Sequence, residues 1–400
     1  MKIQRTAFGL MTSVFLMMIG VGLIVAILPR RLIEMTGSTD SVGWIASAFA
    51  AAYILVQFPI GRLSDRFGFK RFIVGGYLLC ALAGLIFYAA DRPGLIFLGR
   101  IVQGIGEAPV WAMAPALLAL KYHRRQGRIM GAYNAALHLG LTLGPGLGIM
   151  LTHLSSGPDP FLLYAGLCLA GGLLLGASID GKQANAAAKV ADTPDATGLK
   201  SVLKTKKLIP AFFGILLYGG GYGMFITVIP GILFQDMGLG AVGLGLFFTL
   251  FYVAISVSQL IAGPIIDRFG RDRFMRIGLI VAAGGIGLFT ALPALTALIP
   301  LTLAALGLGV FYLASMAFLN DAVPDGLKGT ISGAYFLLWG AGMFTGPLMM
   351  TGLENVLGSG RGFLLFSAAL AGEALLLSLS AGKRSVHGSR CGRTNHLSAE

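Results

Sequence analysis

Charge is what this sequence has least of. Only 12% of its 400 residues are Asp, Glu, Lys or Arg, about half the ~25% of a soluble domain. With 56% hydrophobic residues and a mean hydropathy of +0.81, a water-soluble fold would lack the polar surface to cover itself. Cysteine is equally scarce. Cys80, Cys168 and Cys391 lie far apart and show neither a disulfide framework nor metal-ligand spacing. No G-x-x-x-x-G-K-[ST] phosphate loop occurs, and the longest polar stretch is too short for a nucleotide domain, which argues against ATP drive. No nucleophile–base arrangement is legible, so an enzyme is not expected, nor is a cofactor or a bound metal.

What the chain has instead is apolar length. Stretches near the ~20 residues that cross a bilayer recur at 7–29, 43–60, 72–90, 94–120, 129–152 and 160–179. They resume at 208–232, 241–262, 274–292, 295–319, 328–352 and 361–381. The first is long for a signal segment and is expected to be retained. Of the 30 Lys and Arg, 25 fall in one alternate set of loops and termini, so both termini are expected in the cytosol. The net charge of +13 then reflects loops facing an anionic leaflet, and nucleic acid is not an expected partner. The expectation is an all-α membrane protein of twelve transmembrane helices in two pseudo-symmetric six-helix bundles, residues 1–179 and 208–381. Residues 180–207 read as a cytosolic linker and 382–400 as a disordered cytosolic tail.

The two halves are related by an offset of 202 residues. Gly61, Asp65, Arg66, Phe67 and Gly68 recur as Gly263, Asp267, Arg268, Phe269 and Gly270. Arg71 matches Arg273, and Gly131-Ala132-Tyr133 matches Gly333-Ala334-Tyr335. Gly140, Gly144 and Pro145 match Gly342, Gly346 and Pro347. Repeats of this kind in membranes accompany transporters, with the substrate site between the halves.

These residues resemble the major facilitator superfamily, over about residues 7–381. The signature G-x-L-x-D-R-x-G-x-K/R-R between helices 2 and 3 reads here from Gly61 to Arg71. Its second copy departs, with Ile265 for Leu and Asp272 in place of a base. The resemblance implies a latch that closes the cytosolic side, formed by Gly61, Asp65, Arg66, Gly68 and Arg71. Gly263, Asp267, Arg268 and Gly270 make a second, weaker copy. Physically, Gly68 and Gly270 permit a tight turn. Asp65, at a helix end, can accept hydrogen bonds from arginines nearby and from another helix's N-terminus.

An ionisable group in mid-membrane costs roughly 2.5–3.5 kcal/mol on insertion scales, so each needs a reason. Arg100, Gln103 and Glu107 share one face of helix 4. Arg100-Ile-Val-Gln103-Gly104-Ile-Gly106 resembles the superfamily's R-x-x-Q-G-x-G motif, which implies proton coupling at Arg100. At the 202 offset Arg100, Glu107, Asn134 and His138 face Thr302, Gly309, Phe336 and Gly340. The scaffold is duplicated but this polar set is not, which makes helices 4 and 5 the chemical side of the cavity. Glu107 is expected to exchange a proton or to attract a cationic substrate, against a rim or packing role. His138 is a titratable candidate beside Asn134, against a packing histidine. Glu373 in helix 12 either faces the cavity or neutralises a neighbour. Tyr218 and Tyr222 lie in a glycine-rich part of helix 7 that either bends as a gate or packs closely.

Helix 5 carries Gly140-Leu-Thr-Leu-Gly144-Pro145-Gly146-Leu-Gly148. This resembles the antiporter motif G-x-x-x-G-P-x-x-G-G of drug-exporting branches, with Ile149 for the last glycine, and Gly346-Pro347 echoes it. A kinked hinge is expected there. The expected function is proton-coupled export of a small, partly hydrophobic molecule by a monomer in the lipid bilayer of the cell membrane. The alternatives are a proton-coupled importer or dedicated carrier of a metabolite, lipid or metal chelate, and, further off, a membrane binding protein without transport.

Overall fold

The computed structural model describes residues 2–37, 40–154, 159–179, 208–358 and 360–391. The expected linker, 180–207, lies outside the described residues, as do 392–400 of the expected tail. The first half comprises α1 (Lys2–Thr36), α2 (Asp40–Phe67), α3 (Phe69–Tyr88), α4 (Pro93–Lys121), α5 (Gln126–Leu154) and α6 (Asp159–Ser178). The second comprises α7 (Ile209–Ile226), α8 (Val228–Gln235), α9 (Ala241–Phe269), α10 (Arg271–Phe289), α11 (Ala294–Asp321), α12 (Lys328–Leu357) and α13 (Arg361–Cys391). Single 3₁₀ turns, His123–Arg125 and Asp325–Leu327, lead into α5 and α12.

Ten spans among the described residues are long and apolar enough to cross a membrane, with α7 and α8 forming one of them. Helices α5 and α10 complete the twelve. The first is diluted by Asn134, His138 and its glycines, and the second carries Arg271, Asp272, Arg273 and Arg276 in its first two turns. Large apolar side chains such as Leu55, Leu173, Ile261 and Leu295 face outward, while Gln57, Gln103, Glu107, Asn134 and Gln259 are buried. Polar inside and apolar outside is the distribution that lipid imposes. The chain is an integral, multi-pass membrane protein.

Three local features refine the sequence reading, each with a physical cause. Span seven is not one helix: it breaks at Thr227 (φ −128°, ψ −65°), because Pro230 has no N–H to carry the ladder through. The glycine-rich stretch, read as either a bending gate or a close-packing surface, stays helical. A Cβ on Gly219 or Gly223 would collide with the carbonyl oxygens of Trp339 and Met343 on α12, so these glycines serve close packing. Finally, α13 continues as helix to Cys391, since no proline follows to stop it.

The hinge glycines are packing surface too. Gly140, Gly144 and Gly148, one turn apart on α5, lie against the carbonyls of Phe15, Ile19 and Leu23, one turn apart on α1. The second half repeats the arrangement, with Gly342 and Gly346 of α12 against Leu216 and Gly220 of α7. Pro145 and Pro347 sit inside continuous helices.

The halves meet chiefly along two crossings, α2 with α12 and α5 with α9. At each, bare backbone touches backbone. A Cβ on Gly61 would stand 2.6 Å from the Gly329 oxygen, and one on Gly263 would stand 2.5 Å from the Gly127 oxygen. Gly333 lies on the Gln57 carbonyl, and Gly131 lies still more tightly on that of Gln259. Every one of these pairs obeys the 202-residue offset.

Candidate functional site

Both crossings are fastened where the Lys- and Arg-rich loops lie, here called the basic end. Single glycines with φ +87° (Gly68) and +92° (Gly270) join α2 to α3 and α9 to α10. Only a residue without Cβ turns so sharply at no cost. The preceding aspartates then point at the opposite half. Asp65 Oδ1 accepts from the Gly329 N–H at 2.7 Å, while Oδ2 accepts from the Thr330 N–H at 2.7 Å and the Thr330 hydroxyl at 2.5 Å. Asp267 accepts from the N–H groups of Gly127 (2.8 Å) and Arg128 (3.0 Å). Each carboxylate therefore caps a helix of the other half, α12 or α5, where free N–H groups and the helix dipole favour a negative charge.

The arginines of the motif play another part than expected. Among the described residues, neither aspartate accepts from an arginine side chain. Arg66 and Arg268 follow the aspartates by one residue, so they leave the helix in another direction. Each lies over the ring of the next phenylalanine, at 5.3 and 5.2 Å, and Arg71 is exposed.

Deeper in, the polar face of α4 forms one directed chain. Arg100 Nη1 donates to Gln103 Oε1 (2.9 Å), Gln103 Nε2 donates to Glu107 Oε1 (2.9 Å), and Trp111 Nε1 donates to Glu107 Oε2 (3.3 Å). Arg100 is anchored to α2, donating through Nε to the Ile45 carbonyl (3.2 Å) with its guanidinium 4.7 Å above the Phe49 ring. Arg100 and Glu107 do not touch. Gln103 carries the positive influence of one to the other, its amide oriented by both.

Trp111 was not singled out from the sequence, and it is the link to the second half. Its ring lies 6.1 Å from that of Trp339 and 6.1 Å from that of Phe336. The circuit closes through Trp339–Tyr222 (5.4 Å), Tyr222–Tyr218 (6.4 Å), Tyr218–Tyr312 (5.7 Å) and Tyr312–Phe336 (6.4 Å). Two of the three tryptophans of the chain meet here. Next to Glu107 lies a cavity of 70 Å³, walled by Phe49, Ala50, Tyr53, Ile54, Trp111, Trp339, Gly340 and Met343. That is well below the ~300–1,000 Å³ of pockets holding drug-sized ligands. In this conformation the chamber is nearly shut.

Asn134 and His138 stand at the α5–α9–α11 contact, joined to the chamber only through aromatics. Asn134 Oδ1 accepts from the Tyr312 hydroxyl at 3.3 Å, and its Nδ2 donates to the Met130 carbonyl at 2.9 Å. His138 Nδ1 lies 2.8 Å from the Asn134 carbonyl, which only accepts, so Nδ1 carries the proton. Its ring faces Tyr252 at 6.2 Å. Glu373 packs within the second half near the backbone of Gly214, where the Phe311 ring also lies, and that ring is 6.0 Å from the ring of Tyr218. Glu373 is 1% exposed, and neither oxygen has a hydrogen-bond partner among the described residues.

Two residues the sequence reading passed over are Gln57 and Gln259. Both are fully buried at the crossings, and the amide atoms of both lack hydrogen-bond partners among the described residues. They obey the 202 offset, two turns before Asp65 and Asp267, which was the signal available.

The family model described as Major Facilitator Superfamily matches residues 10–347, and again 211–390. The chain belongs to the Major Facilitator Superfamily. The second match falls on the second half alone, as a duplicated architecture requires. Relatives within the superfamily include Multidrug resistance protein 1 of Bacillus subtilis (strain 168), 25% identical over 73% of this chain and 75% of that one. The class H tetracycline resistance protein of Pasteurella multocida is 24% identical over 83% of this chain and 84% of its own. Among solved structures, the superfamily transporter FucP in the outward conformation superimposes with a TM-score of 0.77. It is 17% identical, covering 94% of this chain and 98% of FucP, a likeness of fold. As a superfamily member this protein is a transporter of small molecules.

Proposed function

We propose that the protein exports a small, partly hydrophobic molecule in exchange for protons, by alternating access around the aromatic chamber. The observation that carries this reading is Glu107, the single acid at the chamber wall among the described residues, with both oxygens engaged by N–H donors. A proton on Glu107 removes the charge that strengthens both hydrogen bonds, leaving each N–H donor a weaker acceptor. Gln103 cannot swap ends to accept from the new O–H, because its Oε1 is held by Arg100. Protonation thus loosens the relay and the indole, and the indole is stacked on Trp339 of the other half. Proton state and inter-half packing become one equilibrium.

Direction rests on two supports: the helix 5 motif, and relatives whose names are those of drug-resistance proteins. Placing the basic end in the cytosol follows from the distribution of Lys and Arg, and there the fastened aspartates act as the latch of the outward-facing state. The aromatic walls and the carboxylate suit compounds with a flat apolar body.

The test is proton-gradient dissipation in inside-out vesicles on adding a panel of lipophilic cations and common metabolites. Dissipation by one class, lost in Glu107→Gln at equal folded protein, is expected. Undiminished dissipation in that variant removes Glu107 from the coupling step.

A further inference from the structure

At the basic end, the corner between α4 and α5 meets the end of α9 around an open bowl of 310 Å³. It is lined by Arg124, Arg125, Arg128, Pro264, Asp267 and Arg268. All four arginines are exposed, and among the described residues none forms an ion pair with an acid. The one carboxylate in the bowl is already engaged, since both Asp267 oxygens accept N–H groups from the first turn of α5. Four cationic side chains therefore face a single acid whose charge the helix terminus compensates.

The repeat shows that the latch does not require these arginines. At the 202 offset, Gly127 and Gly131 of this crossing return as Gly329 and Gly333, and Asp267 corresponds to Asp65. Arg124, Arg125 and Arg128, however, face Gly326, Leu327 and Thr330. The second crossing closes through the same carboxylate-to-helix contact, with Lys328 there paired to Asp325 at 3.0 Å. Three arginines beyond what the contact needs, gathered in one concave place, call for an anion.

We propose that this bowl binds a phosphate group, held by Arg124, Arg125 and Arg128 of the first half and Arg268 of the second. Guanidinium forks match phosphate oxygens in pairs, and a concave floor lets several converge on one group. Because both halves contribute, an occupied bowl favours the conformation in which the basic ends are joined. The proposal is independent of the transported substrate. The phosphate belongs either to the headgroup of an anionic lipid in the adjoining leaflet or to a free phosphate in solution.

The experiment uses purified full-length protein in detergent, with melting temperature followed during titration. Short-chain phosphatidylglycerol, short-chain phosphatidylcholine and inorganic phosphate are the three probes. A saturable rise with phosphatidylglycerol and none with phosphatidylcholine is expected. Half-saturation moves up by about five-fold in Arg268→Gln and about 100-fold in the triple variant Arg124→Gln, Arg125→Gln, Arg128→Gln, at about five-fold per arginine. Arg62→Gln, outside the bowl, leaves it in place. A matching rise with inorganic phosphate assigns the free anion as the source, and a rise with phosphatidylglycerol alone assigns the headgroup. The single variant keeps the test decisive if the triple one folds poorly. No saturable rise with any probe, or the same half-saturation in wild type and Arg268→Gln, overturns the proposal.

Discussion

Replacing Asp65 by asparagine tests the latch with the least change of shape. Asp65 is 5% exposed and accepts three hydrogen bonds from Gly329 and Thr330. An asparagine offers one oxygen and one NH₂, so at least one N–H of the first turn of α12 faces another donor. Leaving that buried group unpaired costs about 1–3 kcal/mol. Losing the negative charge at the helix N-terminus adds up to about 2 kcal/mol. Together, about 1–5 kcal/mol shifts the equilibrium between joined and parted basic ends roughly 5- to 4,000-fold. Asp267 accepts two bonds, at 2.8 and 3.0 Å, and is less buried, so Asp267→Asn is expected to cost about half as much. Electron-spin distance measurements between labels on exposed residues at the two basic ends read the populations directly. The joined population falls in both variants, and further in Asp65→Asn. Unchanged distances in Asp65→Asn, or a larger change in Asp267→Asn, would refute this account of the latch.

Two further outcomes are expected. Gln57→Leu and Gln259→Leu each remove buried, unpartnered amide atoms from a crossing, so each should favour the joined state by about 1–3 kcal/mol; the same distance measurement checks it, and a loss of the joined population counts against it. Trp111→Phe keeps the ring against Trp339 but removes the N–H to Glu107. It should slow proton-driven exchange roughly 10- to 100-fold, the worth of a hydrogen bond to a charged group, while substrate binding measured by fluorescence quenching stays within a few-fold; equal loss of both shows that the ring and not the N–H matters.

Much of the candidate site lay in the sequence because it lies along single helices. Arg100, Gln103 and Glu107, Asn134 and His138, and Tyr218 and Tyr222 are spaced by three or four residues, and helix geometry alone puts such side chains together. What lay hidden were contacts between helices far apart in the chain. Trp111 with Trp339, Asn134 with Tyr312 and Tyr222 with Trp339 have no local signature. Glu373 shows the limit from the other side: its charge made it a cavity residue or a partner for a neighbour, and the fold buries it near Gly214 with neither oxygen hydrogen-bonded among the described residues.

Composition and repeat thus determined the solvent, the helix count and the duplicated scaffold. Charge scarcity and span length are set by the bilayer, and a repeated turn motif must fold the same way twice. The tertiary structure decided what each repeated piece touches. Asp65 and Asp267 could each have met an arginine close by in sequence; packing of bare glycine backbone at the crossings instead brought a helix N-terminus from the opposite half within 2.7 and 2.8 Å. The glycines of α7 and α5 likewise read as bends or as packing surface. Only the facing carbonyls of α12 and α1 settled that, because a missing Cβ has a meaning only in relation to what approaches it.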